Sequence, residues 1–266
     1  MPFAKNIVIT GSSRGIGFGL ADTFLELGCK VIVSGRSGES ISAAVQRLTK
    51  KYGPGRVRGM ACDVTDPVQV ASLWEAALTH LGRVDIWVNN AGFAGEMGRI
   101  WDRPVEEVQS LLNTNLIGTI VGSQVAMRGM LDQESGAIYN MEGMGSDGRK
   151  HAGLTLYGTS KYAVHYFTES LAMEAKDTGI LVGALRPGMV ATDMIRDRYR
   201  DRPQDWERAK RIFNIIAAPV EVVTPWLARE MLANKKNGVT LSYSSSLKLV
   251  WKFIRSPFSK EKVFDS

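Results

Sequence analysis

The chain has 266 residues and a formal net charge of +6, from 33 Lys and Arg against 27 Asp and Glu. Hydrophobic residues make up 44% and charged residues 23%, which excludes a disordered chain and is ordinary for a globular protein. Only two cysteines are present, so a disulfide scaffold is excluded. The positive charge leaves nucleic acid, anionic membranes and anionic ligands as partners. Most of it lies late in the chain, with 12 Lys and Arg against 7 Asp and Glu from residue 201 onward.

Short apolar runs alternate along the chain with longer segments of helical periodicity. The predicted strands are Asn6–Thr10, Lys30–Ser34, Val57–Ala61, Ile86–Val88, Gly136–Asn140, Ile180–Leu185 and Val239–Leu241. The predicted helices between them include Gly15–Leu27, Ser40–Tyr52 and Pro67–Leu81. Because several of the strands are apolar on both faces, we expect parallel strands with helices on each side. The pattern predicts an α/β protein with a doubly wound, Rossmann-type parallel sheet, whose ligands bind at the carboxyl ends of the strands.

A glycine-rich turn, TGSSRGIG at Thr10–Gly17, joins the first strand to the first helix. Glycines allow a tight turn and a close approach of the backbone to a phosphate, and the helix N-terminus offers free N–H groups to an anion. A plain tight turn is the alternative, but the position between a strand and a helix favours dinucleotide binding. The candidate binding residues are Gly11, Ser13, Arg14, Gly15, Ile16 and Gly17.

The end of the second strand indicates which dinucleotide binds. An acidic residue there would bind the ribose 2′-OH of NAD, whereas an arginine accommodates the 2′-phosphate of NADP. This sequence has Gly35 and Arg36, with no acid before Glu39, and Arg14 lies in the first turn. The pair predicts NADP(H) as cofactor, and two solvated surface arginines are the alternative.

Tyr157 and Lys161 lie four residues apart at the start of a predicted helix that continues to Ala175. This spacing places both side chains on one helix face. A nearby ammonium group and a positive nicotinamide ring lower the pKa of a phenol from about 10 toward neutrality, which makes the tyrosine a usable acid. Together with the glycine turn, this pair predicts carbonyl or alcohol oxidoreduction.

These motifs resemble the short-chain dehydrogenase/reductase family, whose order they follow from residue 5 to about residue 195. The resemblance implies that Tyr157 donates a proton to a carbonyl oxygen. It also implies that Lys161 binds the nicotinamide ribose and lowers the pKa of Tyr157, and that Asn115 holds a water of the proton relay. The further cofactor-binding residues that it implies are Asp63, Val64, Asn90, Ala91, Gly92, Pro187, Gly188, Val190 and Thr192.

One motif departs from that family. Its members end the fifth strand with serines, one about 13 residues before the tyrosine, whereas this chain has Glu142 and Gly143 in their place. Ser146, eleven residues before Tyr157, is the candidate replacement for the carbonyl-binding donor. The alternative is that Ser146 caps a turn made by the surrounding glycines.

The loop YNMEGMGSDGR is similar to the corresponding loop of the chlorophyll b reductases. That resemblance implies an NADPH-dependent reduction of the C7 formyl group of chlorophyll b to hydroxymethyl, with a tetrapyrrole as substrate. The alternatives are a reductase of a smaller 3-oxoacyl or steroid-like ketone and an NADP-binding scaffold without catalysis. Met141, Met144, Met189, Met194, Trp101 and Phe93 are candidate walls of an apolar substrate pocket.

We expect one domain over residues 1–243, which includes a substrate loop and helix at about 190–215. The arginines of this segment are expected to pair either with acidic groups of a substrate or with acidic residues of the same helix. Residues 244–266 form a predicted basic amphipathic extension, with Leu247, Val250, Trp251 and Ile254 at helical spacing. It is expected to dock on protein or to contact a membrane surface. The family resemblance implies a homo-oligomer, a dimer or tetramer.

Several classes of partner and location are not expected. The chain has no nucleic-acid module, and His80, His151 and His165 share no spacing that suits a metal. No stretch reaches the length of a membrane span, and strand-like sequence begins at Asn6 without a signal peptide before it. The expected location is therefore the cytoplasm, peripheral to a membrane if the extension binds lipid.

Overall fold

A computed structural model describes residues 4–199, 203–243 and 264 of the chain. Seven strands form one sheet in which every neighbouring pair is parallel, in the order β3-β2-β1-β4-β5-β6-β7. The strands are β1 (Asn6–Ile9), β2 (Lys30–Gly35), β3 (Val57–Ala61), β4 (Ile86–Asn89), β5 (Gly136–Met141), β6 (Ile180–Arg186) and β7 (Val239–Ser242).

Helices of the described residues connect these strands or follow them. They are α1 (Gly15–Glu26), α2 (Gly38–Tyr52), α3 (Pro67–Leu81), α4 (Val105–Leu112), α5 (Gly118–Asp132), α6 (Thr155–Glu174), α7 (Asp193–Asp197), α8 (Pro203–Ile216) and α9 (Val220–Ala233). A 3₁₀ turn at Ile100–Asp102 precedes α4, and one turn of π-helix at Asn113–Ile117 joins α4 to α5.

The predicted doubly wound sheet is confirmed, and each predicted strand agrees with the structure to within one residue at each end. The strands are apolar on both faces because successive side chains enter two different cores. Ile7 and Ile9 pack with α1, α2 and α9 on one face of the sheet, whereas Val8 packs with α3 and α5 on the other. All three side chains are fully buried.

The strand order determines where a ligand-binding crevice forms at the edge of the sheet. From β1 the chain moves outward to β2 and β3, then returns to β4 on the other side of β1, so the loops after β1 and β4 diverge and leave a crevice between them. Asn90, which directly follows β4, spans this point: its side-chain amide donates to the carbonyl oxygens of Thr10 and Gly11, at 2.9 and 2.8 Å. These two bonds join the turn after β1 to the end of β4 at the crevice.

The predicted substrate loop and helix at about 190–215 correspond to α7 and α8. The predicted amphipathic helix at 247–255 lies outside the described residues. Of the extension, the structure describes Phe264, whose ring lies 5.2 Å from that of Trp206 and 6.4 Å from that of Phe213 on α8. Asn214 holds the backbone of Phe264 with two hydrogen bonds. No helix of the described residues is long and apolar enough to span a bilayer.

Candidate active site

A continuous cavity of about 1500 Å³ lies at the carboxyl ends of the strands. Single-ligand pockets usually have volumes of roughly 300–1,000 Å³. The cavity has two ends, which we call the nucleotide end (lined by residues 11, 13–17, 35, 36, 62, 64 and 90–92) and the substrate end (lined by residues of 93–107, 141–161 and 186–216). Its volume is thus large enough for two ligands side by side.

The glycine turn lines the nucleotide end and is held by β2. The backbone N–H of Ser12 donates to the carbonyl oxygen of Ser34 at 2.8 Å, and the Ser12 hydroxyl accepts from the N–H of Ser34 at 2.9 Å. Gly11 has φ +61°, and a Cβ at this position would lie 2.6 Å from the Cα of Ala91. Only glycine suits both the positive φ and the close approach to the Ala91 backbone. The turn is therefore fixed against both neighbouring strands.

The start of α1 fits a bound phosphate. Arg14 at its N-cap makes no side-chain capping bond, and no acidic residue lies in the first turn. The first N–H groups of the helix are thus not used by a side-chain cap, and the positive end of the helix dipole lies at the cavity. The residues present suit the pyrophosphate of a dinucleotide.

Both predicted 2′-phosphate ligands line the cavity. Arg14 lies in the glycine turn after β1, and Arg36 directly follows β2, so the two arginines belong to loops that follow adjacent strands. Arg14 also lies 3.7 Å from Asp193 of α7, in an ion pair in which both side chains are about 70% exposed. Such an exposed pair contributes little to stability, so Arg14 remains available to an anion.

All but one of the other predicted cofactor residues lie on the cavity wall. The exception is Asp63, whose carboxylate accepts hydrogen bonds from the N–H and hydroxyl of Thr65 at 2.9 and 2.8 Å. The residues on the wall are Gly11, Ser13, Arg14, Gly15, Ile16, Gly17, Arg36, Val64, Asn90, Ala91, Gly92, Pro187, Gly188, Val190 and Thr192.

Tyr157 and Lys161 lie on the face of α6 that lines the cavity, and both are buried. The Lys161 ammonium donates to the carbonyl oxygen of Met141 at 2.9 Å, which ties α6 to the end of β5. Burial lowers the pKa of Lys161 to about 8, although the Glu142 carboxylate opposes this. The lysine can thus exchange a proton near neutral pH.

The pKa of Tyr157 corrects one expectation. Burial raises it above the ordinary value of a phenol, and the opposing positive charge is the guanidinium of Arg198 rather than Lys161. The protein's own groups therefore keep Tyr157 protonated at neutral pH. A protonated phenol is the form that donates a proton to a carbonyl oxygen.

Asn115 lies in the π-helical turn between α4 and α5 and is fully buried. Its side chain accepts from the N–H of Phe93 at 2.9 Å and donates to the Phe93 carbonyl oxygen at 2.8 Å and to Ser160 at 3.1 Å. A Cβ at Gly92 would lie 3.0 Å from the Asn115 Oδ1 and 3.6 Å from the Lys161 Nζ. Glycine at this position therefore leaves space between the two polar groups.

The loop that lacks the family serines is built around a buried carboxylate. The Glu142 side chain is fully buried, and it accepts hydrogen bonds from Ser146 Oγ at 2.9 Å and from Arg186 Nε at 2.7 Å. His165 Nδ1 lies 2.7 Å from its other oxygen. The partners of Glu142 come from three different segments, so this role of Glu142 could not be predicted from the sequence.

Gly143 and Ser146 define the surroundings of the tyrosine hydroxyl. A Cβ at Gly143 would lie 2.3 Å from the Tyr157 Oη, so a side chain here would displace the tyrosine. Ser146 lines the cavity, but its proton goes to Glu142. To serve as the missing carbonyl donor, Ser146 would have to give up a charge-assisted hydrogen bond.

The wall of the substrate end is more polar than predicted. Met141, Met144, Met189, Met194 and Phe93 line the cavity, but Trp101 does not: it lies on the surface and is 75% exposed. Charged and polar side chains share the wall, and they include Glu96, Asp102, Arg103, Glu107, Asp147, Arg149, His151 and Arg198. The substrate end thus combines methionines with paired charges.

A dinucleotide-type crevice next to a buried tyrosine–lysine pair defines an α/β oxidoreductase. The model of the short chain dehydrogenase family matches residues 5–203. The chain therefore belongs to the short-chain dehydrogenase family of oxidoreductases.

Two curated relatives from Arabidopsis thaliana are similar to this chain. One is named chlorophyll(ide) b reductase, chloroplastic, with 36% identity over 88% of this chain and 67% of its own length. The other is named probable chlorophyll(ide) b reductase, chloroplastic, with 32% identity over 98% of this chain. The chain spans only 55% of the length of the latter.

A solved structure has the same fold. ElxO with NADP bound superimposes with a TM-score of 0.78 and 27% identity, over 90% of this chain and 97% of that one.

Proposed function

We propose that this protein is an NADPH-dependent carbonyl reductase that reduces the C7 formyl group of chlorophyll b or chlorophyllide b to hydroxymethyl. The observation that supports it most directly is the buried Tyr157 and Lys161 pair in a cavity that continues to the glycine turn. The names of the two relatives support the substrate class, and the volume of the cavity supports a large one.

The nucleotide end suits NADPH. The glycine turn and the N-terminus of α1 would hold the pyrophosphate, and Arg14 and Arg36 would hold the 2′-phosphate, since no acid follows β2 before Glu39. The similarity to an NADP-bound structure agrees with this choice. When bound, the cofactor supplies the hydride that reduces the carbonyl carbon.

The substrate end supplies the proton. Tyr157 donates its hydroxyl proton to the carbonyl oxygen, so that the aldehyde becomes a primary alcohol. Lys161, with a pKa of about 8, returns a proton toward Tyr157. The amide oxygen of Asn115 borders the space beside the lysine ammonium that Gly92 leaves open. Losing one donor to a developing oxyanion typically lowers the rate by about 10²–10³, so the absence of the family serine predicts a slow enzyme unless Ser146 replaces it.

The assay that tests this proposal uses purified full-length protein, NADPH and detergent-dispersed chlorophyll b or chlorophyllide b. We expect a shift of the absorption spectrum and a product heavier by two hydrogens, with NADH giving a lower kcat/KM. An unchanged spectrum with both pigments, while the protein binds NADPH, would contradict the proposed substrate. Equal kcat/KM with NADH would contradict the assignment of Arg14 and Arg36.

The assembly and location are part of the proposal. We propose a homo-oligomer in the cytoplasm, with the extension after residue 243 docked on protein or in contact with a membrane surface. The packing of Phe264 on α8 supports docking on the same domain.

A further inference from the structure

Arg198 is a buried cation without a hydrogen-bonding partner for its Nε. The residue directly follows α7, is 9% exposed and lines the substrate end of the cavity. Its Nε has no hydrogen-bond partner among the described residues. Its guanidinium carbon lies 5.2 Å from the centre of the Tyr157 ring. A cation–π contact with this ring offsets only part of the desolvation of a buried charge.

The other arginines of the substrate end all have a carboxylate partner. Arg103 pairs with Glu107 at 3.1 Å, Arg149 with Asp147 at 3.3 Å and Arg186 with Glu142 at 2.7 Å. For Arg198, no carboxylate of the described part of the chain lies within ion-pair distance. Among the arginines that line this end, Arg198 is thus the one whose charge the described residues do not neutralise.

The position of Arg198 restricts the ligand that could neutralise it. The group would lie beside Tyr157, where the proposed function places the reacting carbonyl. A guanidinium is a planar fork that matches a carboxylate, and one unpaired guanidinium matches one negative charge. The other arginines that line this end already have carboxylate partners, so Arg198 is the guanidinium among them that can take a further carboxylate.

We propose that Arg198 binds a carboxylate of the substrate, so that the enzyme prefers carbonyl compounds that carry a free acid beside the reacting group. This inference goes beyond the proposed function and rests on it for the type of reaction only.

Matched aldehydes test the inference without a tetrapyrrole. The pair is 4-carboxybenzaldehyde and methyl 4-formylbenzoate, which differ in one negative charge, and NADPH oxidation reports turnover. A hydrogen-bonded ion pair of this kind contributes about 1.5–3 kcal/mol, so the acid should have a kcat/KM about tenfold to a hundredfold higher. In Arg198→Met the two aldehydes should react equally, mainly through a higher KM for the acid.

The control variant is Arg196→Met, since Arg196 lies on α7, two residues before Arg198, but is exposed and does not line the cavity. This variant should keep the preference for the acid. Arg198→Lys should retain part of it, which a role in packing alone would not predict. If Arg198 bound a phosphate of the cofactor instead, Arg198→Met would raise the KM for NADPH and leave the ratio between the aldehydes unchanged.

A parent enzyme without preference, or an Arg198→Met variant that keeps it, would overturn the inference. If neither aldehyde is reduced, calorimetry with 4-(hydroxymethyl)benzoate and its methyl ester decides: the inference requires tighter binding of the acid, lost in Arg198→Met. Failure to reduce chlorophyll b and chlorophyllide b alone would instead count against the proposed function.

Discussion

The two ends of the cavity are built from different groups. The nucleotide end consists mainly of backbone and short neutral side chains, with its two arginines at the exposed rim. At the substrate end, by contrast, Glu142, Lys161 and Arg198 are buried charges close to the reacting group. Under the proposed function, the backbone of the nucleotide end binds the cofactor, and the charged side chains of the substrate end determine specificity and transfer the proton.

The largest effect that separates the two ends is expected from Tyr157→Phe. Because this change removes the proton donor and keeps the ring, kcat should fall by about 10²–10⁴, while the Kd of NADPH changes little. Steady-state kinetics and titration of NADPH fluorescence measure the two quantities. Tyr162→Phe, at an exposed position of α6, is the matched control and should keep full turnover. Unchanged turnover in Tyr157→Phe would remove the tyrosine from the mechanism.

Glu142→Ala tests whether the substrate end depends on its buried carboxylate. The change leaves Arg186 and Lys161 without their negative partner, and breaking a buried ion pair costs about 3–5 kcal/mol. We therefore expect the free energy of unfolding in urea to fall by about this amount. Ser146→Ala removes one neutral donor to the same carboxylate and should cost only about 1 kcal/mol. Equal losses in the two variants would show that the charge of Glu142 is not what matters.

Ser146→Ala also decides the role of this serine in turnover. A fall of about 10²–10³ in kcat would identify Ser146 as the replacement donor to the carbonyl. A change of only a few fold would leave it as a structural partner of Glu142.

Lys161→Met should stabilise the protein while it abolishes turnover. The folded-state pKa of Lys161 is about 8, below its ordinary value of 10.5. Between these values the unfolded chain binds more protons, so the free energy of unfolding rises with pH. The cost of burying the charged lysine is thus greatest below pH 8, at about 3 kcal/mol, and disappears above pH 10.5.

The stability gain of Lys161→Met should follow the same pH dependence, which urea unfolding at pH 7 and pH 10 can measure. Lys176→Met, at an exposed position just after α6, should show no such dependence. A variant less stable than the parent at pH 7 would contradict the pKa of Lys161.

The effect expected at the nucleotide end is that of Gly11→Ala. A non-glycine residue at this positive φ costs about 1–3 kcal/mol, and the added Cβ also approaches Ala91. Unfolding in urea should show this loss, together with weaker NADPH binding. Gly38→Ala, at the first position of α2 with open space around it, should be neutral or stabilising by up to about 1 kcal/mol. A neutral Gly11→Ala would show that the turn is less constrained than its contacts indicate.

The sequence by itself determined the sheet, the nucleotide end and the tyrosine–lysine pair. These features are local: apolar runs define strands, glycines at fixed spacing define the turn, and residues four apart share a helix face. For this reason the predicted strand bounds agree with the structure to within one residue, and most predicted cofactor residues line the cavity.

Only the tertiary structure decided the charges of the substrate end. Glu142 finds its partners 4, 23 and 44 residues away in sequence, and no local pattern encodes such pairings. Burial, which depends on every element packed around a group, set the pKa of Lys161 and reversed the expected shift at Tyr157. In the sequence, Arg198 is one of several arginines in a charged stretch. Only the structure shows that it is buried and lies 5.2 Å from the centre of the Tyr157 ring.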